Sequence, residues 1–430
     1  MTIFQLLGLV TTIIAVFGYI NHRFIKMPDT LGITAVGLVV STILVLIGHH
    51  EPMAVEWAQK LVASIDFSEV VFHGMLPMLL FASSLHVNVA EIAKEKAPIL
   101  VLATVGVVIS TVIVGFGLHY GLALAGVQLG LVYCLLFGAL ISPTDPIAVM
   151  SVLKKVGVSK SLETKISGES LFNDGTAIVA YMMLVGVATQ TVNPTFSSVG
   201  LLLVKEVVGA LLLGLVVGYG AVLMIRGVDS YPVEILITLA LATAGYALAE
   251  TLHVSAPLAV VIMGLVMGNL GATKAMSEKT KTHLFNFWEL IDELLNLVLF
   301  GLIGLQVLAL NVTPRHLWVG AMAIVVVLFA RWVSVAVPLA ALSPFRSFAP
   351  HAVKILTWGG LRGGISIALV LSLPKFEGRD LLIGATYVVV LFSLLVQATS
   401  LSKLLRKLSA CPPAKPVLTV VPPASEDKAA

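Results

Sequence analysis

Apolar runs of about twenty residues, divided by short polar joints, fill nearly the whole chain. About twenty such residues suffice to cross a bilayer core as a helix. Thirteen stretches qualify: roughly 2–20, 31–48, 68–88, 97–122, 128–153, 163–190, 196–226, 232–251, 256–270, 282–310, 315–341, 351–374 and 380–408. The signal is weakest over 68–88, 256–270 and 282–310, and the last of these is amphipathic at its ends, with Trp288, Glu289, Asp292 and Glu293. The pattern predicts an all-α polytopic membrane protein of about 13 transmembrane helices. Residues 410–430, rich in Pro, Ala and charge, read as a disordered tail. No soluble stretch is long enough to fold separately.

Polar side chains interrupt these runs in a few places. The densest interruption is Gly168-Glu169-Ser170-Leu171-Phe172-Asn173-Asp174-Gly175-Thr176. An ionisable side chain at membrane depth costs roughly 2.5–3.5 kcal/mol and so points to function. At helical spacing Glu169 shares a face with Asn173, and Ser170 with Asp174. Asp174 is thus a carboxylate with a hydroxyl one turn below and an amide beside it, an oxygen set suited to a small hard cation.

A second interruption is Ser142-Pro143-Thr144-Asp145-Pro146, where two prolines bracket Thr144 and Asp145. Each proline removes a backbone donor and clashes with the preceding turn, so the helix breaks there. Broken backbone survives at membrane depth only where it is buried or lines a cavity. Asp145 would sit near the positive end of a half-helix. The third is Trp358-Gly359-Gly360-Leu361-Arg362-Gly363-Gly364-Ile365-Ser366, four glycines around one arginine. Glycine permits a break and a close backbone approach. The two breaks fall fifth among helices 1–6 and fifth among helices 8–13. Interrupted segments in corresponding places point to two inverted six-helix repeats with broken crossing helices, as in secondary transporters. No residue-level repeat accompanies the pattern. Finally, Arg331 lies deep in the eleventh span, and Glu169 is its natural partner; that pairing leaves Asp174 as the carboxylate free to change charge.

Plainer roles fit several of these residues. Asp145 and Arg362 also suit capping of half-helix dipoles. Glu169 with Arg331 reads as a structural pair more readily than as an ion site. Asn173 also suits a hydrogen bond to a neighbouring helix. His86 reads as a solvated histidine near the membrane surface rather than a pH sensor, Lys205 as a snorkelling side chain, and Glu289, Asp292 and Glu293 as residues facing water at a helix end.

Composition agrees with the spans. The chain is 58% hydrophobic and 11% charged, with mean hydropathy +1.03, whereas soluble domains carry about 25% charged residues. The two cysteines, Cys134 and Cys411, support neither a disulfide framework nor a cysteine metal site. No basic residue precedes the first apolar segment, which reads as a spanning helix rather than a cleaved signal. Thirteen spans define two sets of loops. One set carries fourteen Lys and Arg, from Arg23 to Lys354 and including Lys154 and Lys155; the other carries Lys60, Arg315, Lys375 and Arg379. Lys403, Arg406 and Lys407 add to the rich side. The bias places the N-terminus outside and the C-terminus in the cytoplasm.

At Ser142-Pro143-Thr144-Asp145-Pro146, Gly168 to Gly175 and Gly359-Gly360-Leu361-Arg362-Gly363, the sequence resembles the cation:proton antiporters of the NhaP and sodium–hydrogen exchanger type. Phe287-Trp288-Glu289-Leu290-Ile291-Asp292-Glu293 leading into Phe300-Gly301-Leu302-Ile303-Gly304 is also similar to that family. The likeness covers essentially the whole membrane region, 1–409. It implies a homodimer in the cell membrane, with a six-helix core at about 97–190 and 315–408 that carries the ion. A dimer scaffold lies at about 2–88 and 196–310, and core moves against scaffold like an elevator. It further implies that Asp174 binds Na⁺ and the proton in turn. Asn173, in place of a second aspartate, marks the electroneutral one-for-one branch. Thr144, Asp145 and Ser170 complete or order the site, and Glu169 pairs with Arg331. Two departures stand out. The third span lacks an acidic residue near Ser83 or Ser84, and Gln306 stands where a glutamate often follows the Leu-Ile-Gly-Leu run.

The expected mechanism is competition. Asp174 holds a proton or Na⁺ (Li⁺ as well), and the loaded, neutral site crosses more easily than a bare charge. There is no P-loop glycine pattern with lysine and no His/Glu metal spacing, so no cofactor, ATP or nucleic acid is expected. A K⁺/H⁺ antiporter of the same family is the nearest alternative. A cation channel or uniporter would share the broken helices but conduct without proton counterflow. A membrane-embedded enzyme would need a nucleophile–base pair, and Ser170 has no histidine at its depth; His119 and His253 lie near the outer surface.

Overall fold

Backbone in hydrocarbon must satisfy its own hydrogen bonds, which helices do within one segment. The apolar runs are accordingly helical. The computed structural model describes residues 2–47, 52–147, 149–150, 153, 160–191, 196–310, 313–346 and 348–408. The expected tail at 410–430, Cys411 within it, and Lys154 and Lys155 lie outside the described residues.

Among the described residues eleven helices are long and apolar enough to cross a membrane, and there is no strand. Those before the first break are α1 (Phe4–Ile25), α2 (Asp29–Ile47), α3 (Phe67–Leu85) and α4 (Lys96–Leu124). The other two expected spans, 128–153 and 351–374, are interrupted. The first holds α5 (Leu131–Leu140), ten residues with Ile141 as the C-cap. At 1.5 Å per residue it reaches only about halfway through a ~30 Å core. Beyond it follow α6 (Lys160–Ala188), α7 (Val204–Arg226), α8 (Tyr231–Thr251), α9 (Ala256–Lys274), α10 (Glu278–Ala309) and α11 (Pro314–Leu342). The second interrupted span consists of α12 (Ala352–Trp358) and α13 (Gly364–Leu371), and α14 (Arg379–Leu408) closes the bundle.

Local chemistry sets several boundaries. Asp66 accepts the Glu69 N–H at 3.0 Å and starts α3; Ser277 accepts the Thr280 N–H at 3.3 Å and starts α10. Both are N-caps that satisfy otherwise orphaned donors. Pro314, at the first turn of α11, loses nothing by lacking an N–H.

The packing positions the site. α4 packs on α5 and α11, α6 on α5, and α11 on the first part of α14. Elsewhere α2 packs on α10, and α9 on α7, α8 and the second half of α3. Small residues let α2 and α10 approach, where Ser41 Oγ donates to the Gly304 carbonyl at 2.9 Å and Thr34 Oγ1 to that of Phe300 at 3.1 Å. Trp288, fully buried on α10, donates its indole N–H to Thr238 of α8 at 2.9 Å. The outer surface is apolar: Leu7, Val39, Val108, Leu215, Val216, Val325 and Phe329 are all exposed. With eleven membrane-length helices, that surface makes this an integral membrane protein.

Candidate ion-binding site

The two interruptions meet. Residues 142–146 and 360–363 are non-helical, and the Asp145 N–H donates to the Leu361 carbonyl at 2.8 Å. Each strand of the crossing brings a charge to the other. The Arg362 guanidinium donates to the carbonyls of Ser142 (2.5 Å) and Pro143 (3.0 Å), just past the C-terminal end of α5. The Asp145 carboxylate accepts the Ile147 N–H at 2.9 Å, where the chain turns helical again. It also lies against Gly363, which precedes α13; a Cβ on Gly363 would collide with it. Negative charge at half-helix N-termini and positive charge at C-terminal carbonyls is the stabilising arrangement. Arg362 is 2% exposed, and its own N–H is held by Ser393 Oγ of α14 at 2.8 Å.

α6 passes beside this crossing and presents its polar face to it. Asn173 is buried, and one neighbour engages both of its polar atoms: its Nδ2 donates to Thr144 Oγ1 at 2.7 Å, and its Oδ1 accepts the Thr144 N–H at 3.4 Å. Thr144 Oγ1 and Ser170 Oγ are 3.0 Å apart. Glu169 points the other way, into an ion pair with Arg331 of α11, whose Nη2 lies 3.1 Å from Glu169 Oε2 and whose Nη1 bonds Glu169 Oε1. Arg331 also donates through Nε (3.2 Å) and Nη2 (3.1 Å) to the Leu356 carbonyl of α12. Gly360 leaves room for this guanidinium, since a Cβ there would strike it.

Asp174 is 7% exposed, and its Oδ1 has no hydrogen-bond partner among the described residues. It faces a cavity of about 100 Å³, shared with Pro143, Thr144, Asp145, Ser170, Ser83 and the α13 residues Gly364 and Ser366. Glu169, Asn173, Arg331 and Arg362 instead surround a smaller gap behind it. A second cavity of about 230 Å³, lined by His86, Asn88, Glu91, Lys160 and Glu163, shares Val87 and Ser167 with the Asp174 cavity. A third, of about 380 Å³, is lined by His73, Tyr181, Glu206, Tyr246, Glu250, His253 and Ser372 and shares no residue with it. The side chains of Asp174, Asp145, Thr144 and Ser170 thus converge on one space, while Glu169 and Arg331 face away from it.

The sequence-level expectation for Asp292 needs correction. Glu289 and Glu293 are exposed, but Asp292 lines the Asp174 cavity, with Asn296 one turn further along α10. Neither Asn296 nor Ser366 stood out in the sequence. An asparagine at the margin of an amphipathic helix reads as a surface residue, and a serine closing a glycine-rich run reads as part of the turn. His86 is exposed, its Nδ1 2.7 Å from the Ala82 carbonyl.

The family profile described as "Sodium/hydrogen exchanger, transmembrane" matches residues 11–407. The chain belongs to the sodium/hydrogen exchanger family. Among similar proteins is the Na(+)/H(+) antiporter NhaP of Pseudomonas aeruginosa, 46% identical over 402 residues, which cover 92% of this chain and 94% of that one. The Na(+)/H(+) antiporter NhaH of Halobacillus aidingensis is 34% identical over 412 residues, covering 94% and 97%. The fold matches the solved sodium proton antiporter MjNhaP1 from Methanocaldococcus jannaschii at pH 8, with TM-score 0.73 and 19% identity, over 95% of this chain and 99% of that one. In this exchanger-family chain, the paired breaks at 142–146 and 360–363 bring the half-helix ends of α5 and α13 together.

Proposed function

We propose that this protein exchanges Na⁺, or Li⁺, for H⁺ across the cell membrane, one for one, by competition at Asp174. It acts as a transporter rather than an enzyme and needs no cofactor. The observation that carries this is the Asp174 carboxylate, buried on a membrane-length helix, facing a small cavity at the crossing of two broken spans, with an oxygen that has no donor among the described residues. Hard monovalent cations seek oxygen ligands, and a bare buried carboxylate is costly without a counter-charge. Ser170 and Thr144 add hydroxyls to the same space, and Asp145 adds a second carboxylate whose one oxygen already accepts a backbone N–H.

Asn173 is neutral and fully engaged by Thr144, so one exchangeable charge remains at the pair, which favours electroneutral turnover. Glu169 with Arg331 is structural on this reading. The cavity at His86 and Lys160 abuts the site, so ions reach Asp174 from the Lys/Arg-rich side, the cytoplasm by the positive-inside bias. Alternating access then requires the unit containing α4–α6 and α11–α14 to shift against the remaining helices, which would form the scaffold of a homodimer.

Everted vesicles holding the protein and acidified inside will lose their pH gradient on addition of Na⁺ or Li⁺, and Asp174→Ala will abolish the response. Exchange retained in that variant overturns the assignment. The same vesicles, titrated with Na⁺, Li⁺ and K⁺ with and without an imposed voltage, separate a sodium from a potassium exchanger and test electroneutrality.

A further inference from the structure

Eight buried side-chain oxygens have no hydrogen-bond partner among the described residues, and three of them, Asp174 Oδ1, Asn296 Oδ1 and Ser366 Oγ, belong to residues lining one cavity. An unsatisfied buried polar atom costs about 1–3 kcal/mol, so three on residues that line one cavity of about 100 Å³ suit a common partner. A water's share of liquid volume is about 30 Å³, so the space suits a small cation with one to a few waters. The three come from separate elements: α6, α10 and α13.

The Asn296 amide is oriented by its own helix. Its Nδ2 donates to the Asp292 carbonyl at 2.7 Å. The flipped amide would set two acceptors against each other, so Oδ1 is the atom left without a partner. Asn296 is 2% exposed, and Asp292, one turn earlier on α10, lines the same cavity and adds negative charge.

We propose that Asn296 is a cation ligand of the exchange site proposed above, closing the Asp174 cavity from α10 with Ser366 on the third side. A proton on Asp174 hydrogen-bonds to a single acceptor. A sodium or lithium ion gathers all the oxygens at once. Asn296 therefore weights the competition toward the cation, and it does so from a helix outside the unit that carries Asp174.

The test is the half-saturating Na⁺ and Li⁺ concentration for exchange in everted vesicles at fixed pH. Asn296→Ala raises it about fivefold or more for both ions, by the same factor at each pH, because the loss falls on the cation and not on the competing proton. Asn296→Ser, whose hydroxyl can donate to the same Asp292 carbonyl and still offer its oxygen to a cation, recovers part of that loss. In purified protein, the Na⁺ concentration that protects against heat at alkaline pH moves upward with Asn296→Ala by a similar factor. An unchanged half-saturating concentration, or a fall in maximal rate alone, overturns the proposal. Asp174→Ala runs beside it: exchange surviving that change fails the whole site, whereas exchange lost in Asp174→Ala with normal cation affinity in Asn296→Ala fails only the Asn296 assignment.

Discussion

The N–H of Asp145 donates to the carbonyl of Leu361 at 2.8 Å, so two spans broken for different reasons, one by prolines and one by glycines, are joined backbone to backbone where they cross. The join fixes the spacing between α5 and α13, and the carboxylate of Asp145 comes to rest against Gly363.

Gly363→Ala tests that spacing. The added methyl would overlap the Asp145 carboxylate, and moving that group disturbs both the half-helix end and the cavity. Vesicle exchange should drop at least tenfold, which corresponds to about 1.4 kcal/mol. Gly74→Ala, where a Cβ meets nothing within 4 Å, should leave it unaltered.

Removing Arg331 leaves Glu169, 1% exposed, without its ion-pair partner. Breaking a buried pair from one side costs about 3–5 kcal/mol. Arg331→Met should lower the thermal midpoint in detergent sharply, and Glu169→Leu combined with Arg331→Met should be milder than Arg331→Met alone. Thermal midpoints followed by size-exclusion chromatography decide this; a double variant as unstable as the single one would speak against the pair.

Thr144→Val removes the hydroxyl that accepts from Asn173 and meets Ser170. A buried amide donor is then unsatisfied, at about 1–3 kcal/mol. Exchange should fall several-fold, with Thr144→Ser close to wild type. Initial rates over a Na⁺ series measure both.

Glu95, just before α4, lies between Lys165 (3.1 Å) and Arg346 (3.2 Å) and accepts from Ser161 Oγ at 2.6 Å. Burial works against its charged form, but Ser161, Lys165 and Arg346 outweigh that and hold the carboxyl below its usual range. A carboxyl with a lowered folded-state value stabilises fully above the ordinary carboxylate range and loses that contribution as pH falls through the lowered value. Glu95→Gln should therefore cost about 1 kcal/mol or less at neutral pH, and the variant and wild-type melting curves should converge in strong acid. A gap that persists there would place the effect elsewhere.

The breaks at Asp145 and Arg362 were legible because proline and glycine are incompatible with an uninterrupted apolar helix. Asp174 and Glu169 were legible because charge is expensive in such a run. The eleven membrane-length helices among the described residues followed from hydropathy and length alone. Arg331 as the partner of Glu169 followed because a lone buried arginine is untenable. The Leu356 and Leu361 carbonyls could not be read, since backbone acceptors leave no trace in side-chain identity. Ser393, Asn296 and Ser366 were hidden because a small polar residue in a membrane helix commonly bonds its own preceding turn. The place of Asp292 is not legible because a carboxylate near a helix end normally meets water; here it is half-buried and lines the cavity shared with the third helix and the Pro-bracketed segment.

Asn173 spends both of its polar atoms on Thr144 and offers no second acid beside Asp174. If turnover swaps one proton for one sodium, membrane voltage drops out of the energetics, and the pH difference alone sets how far sodium can be expelled, by about tenfold per pH unit. A cell relying on this protein would keep its sodium low while its electrical potential collapses, and would lose that ability once inside and outside reach the same acidity.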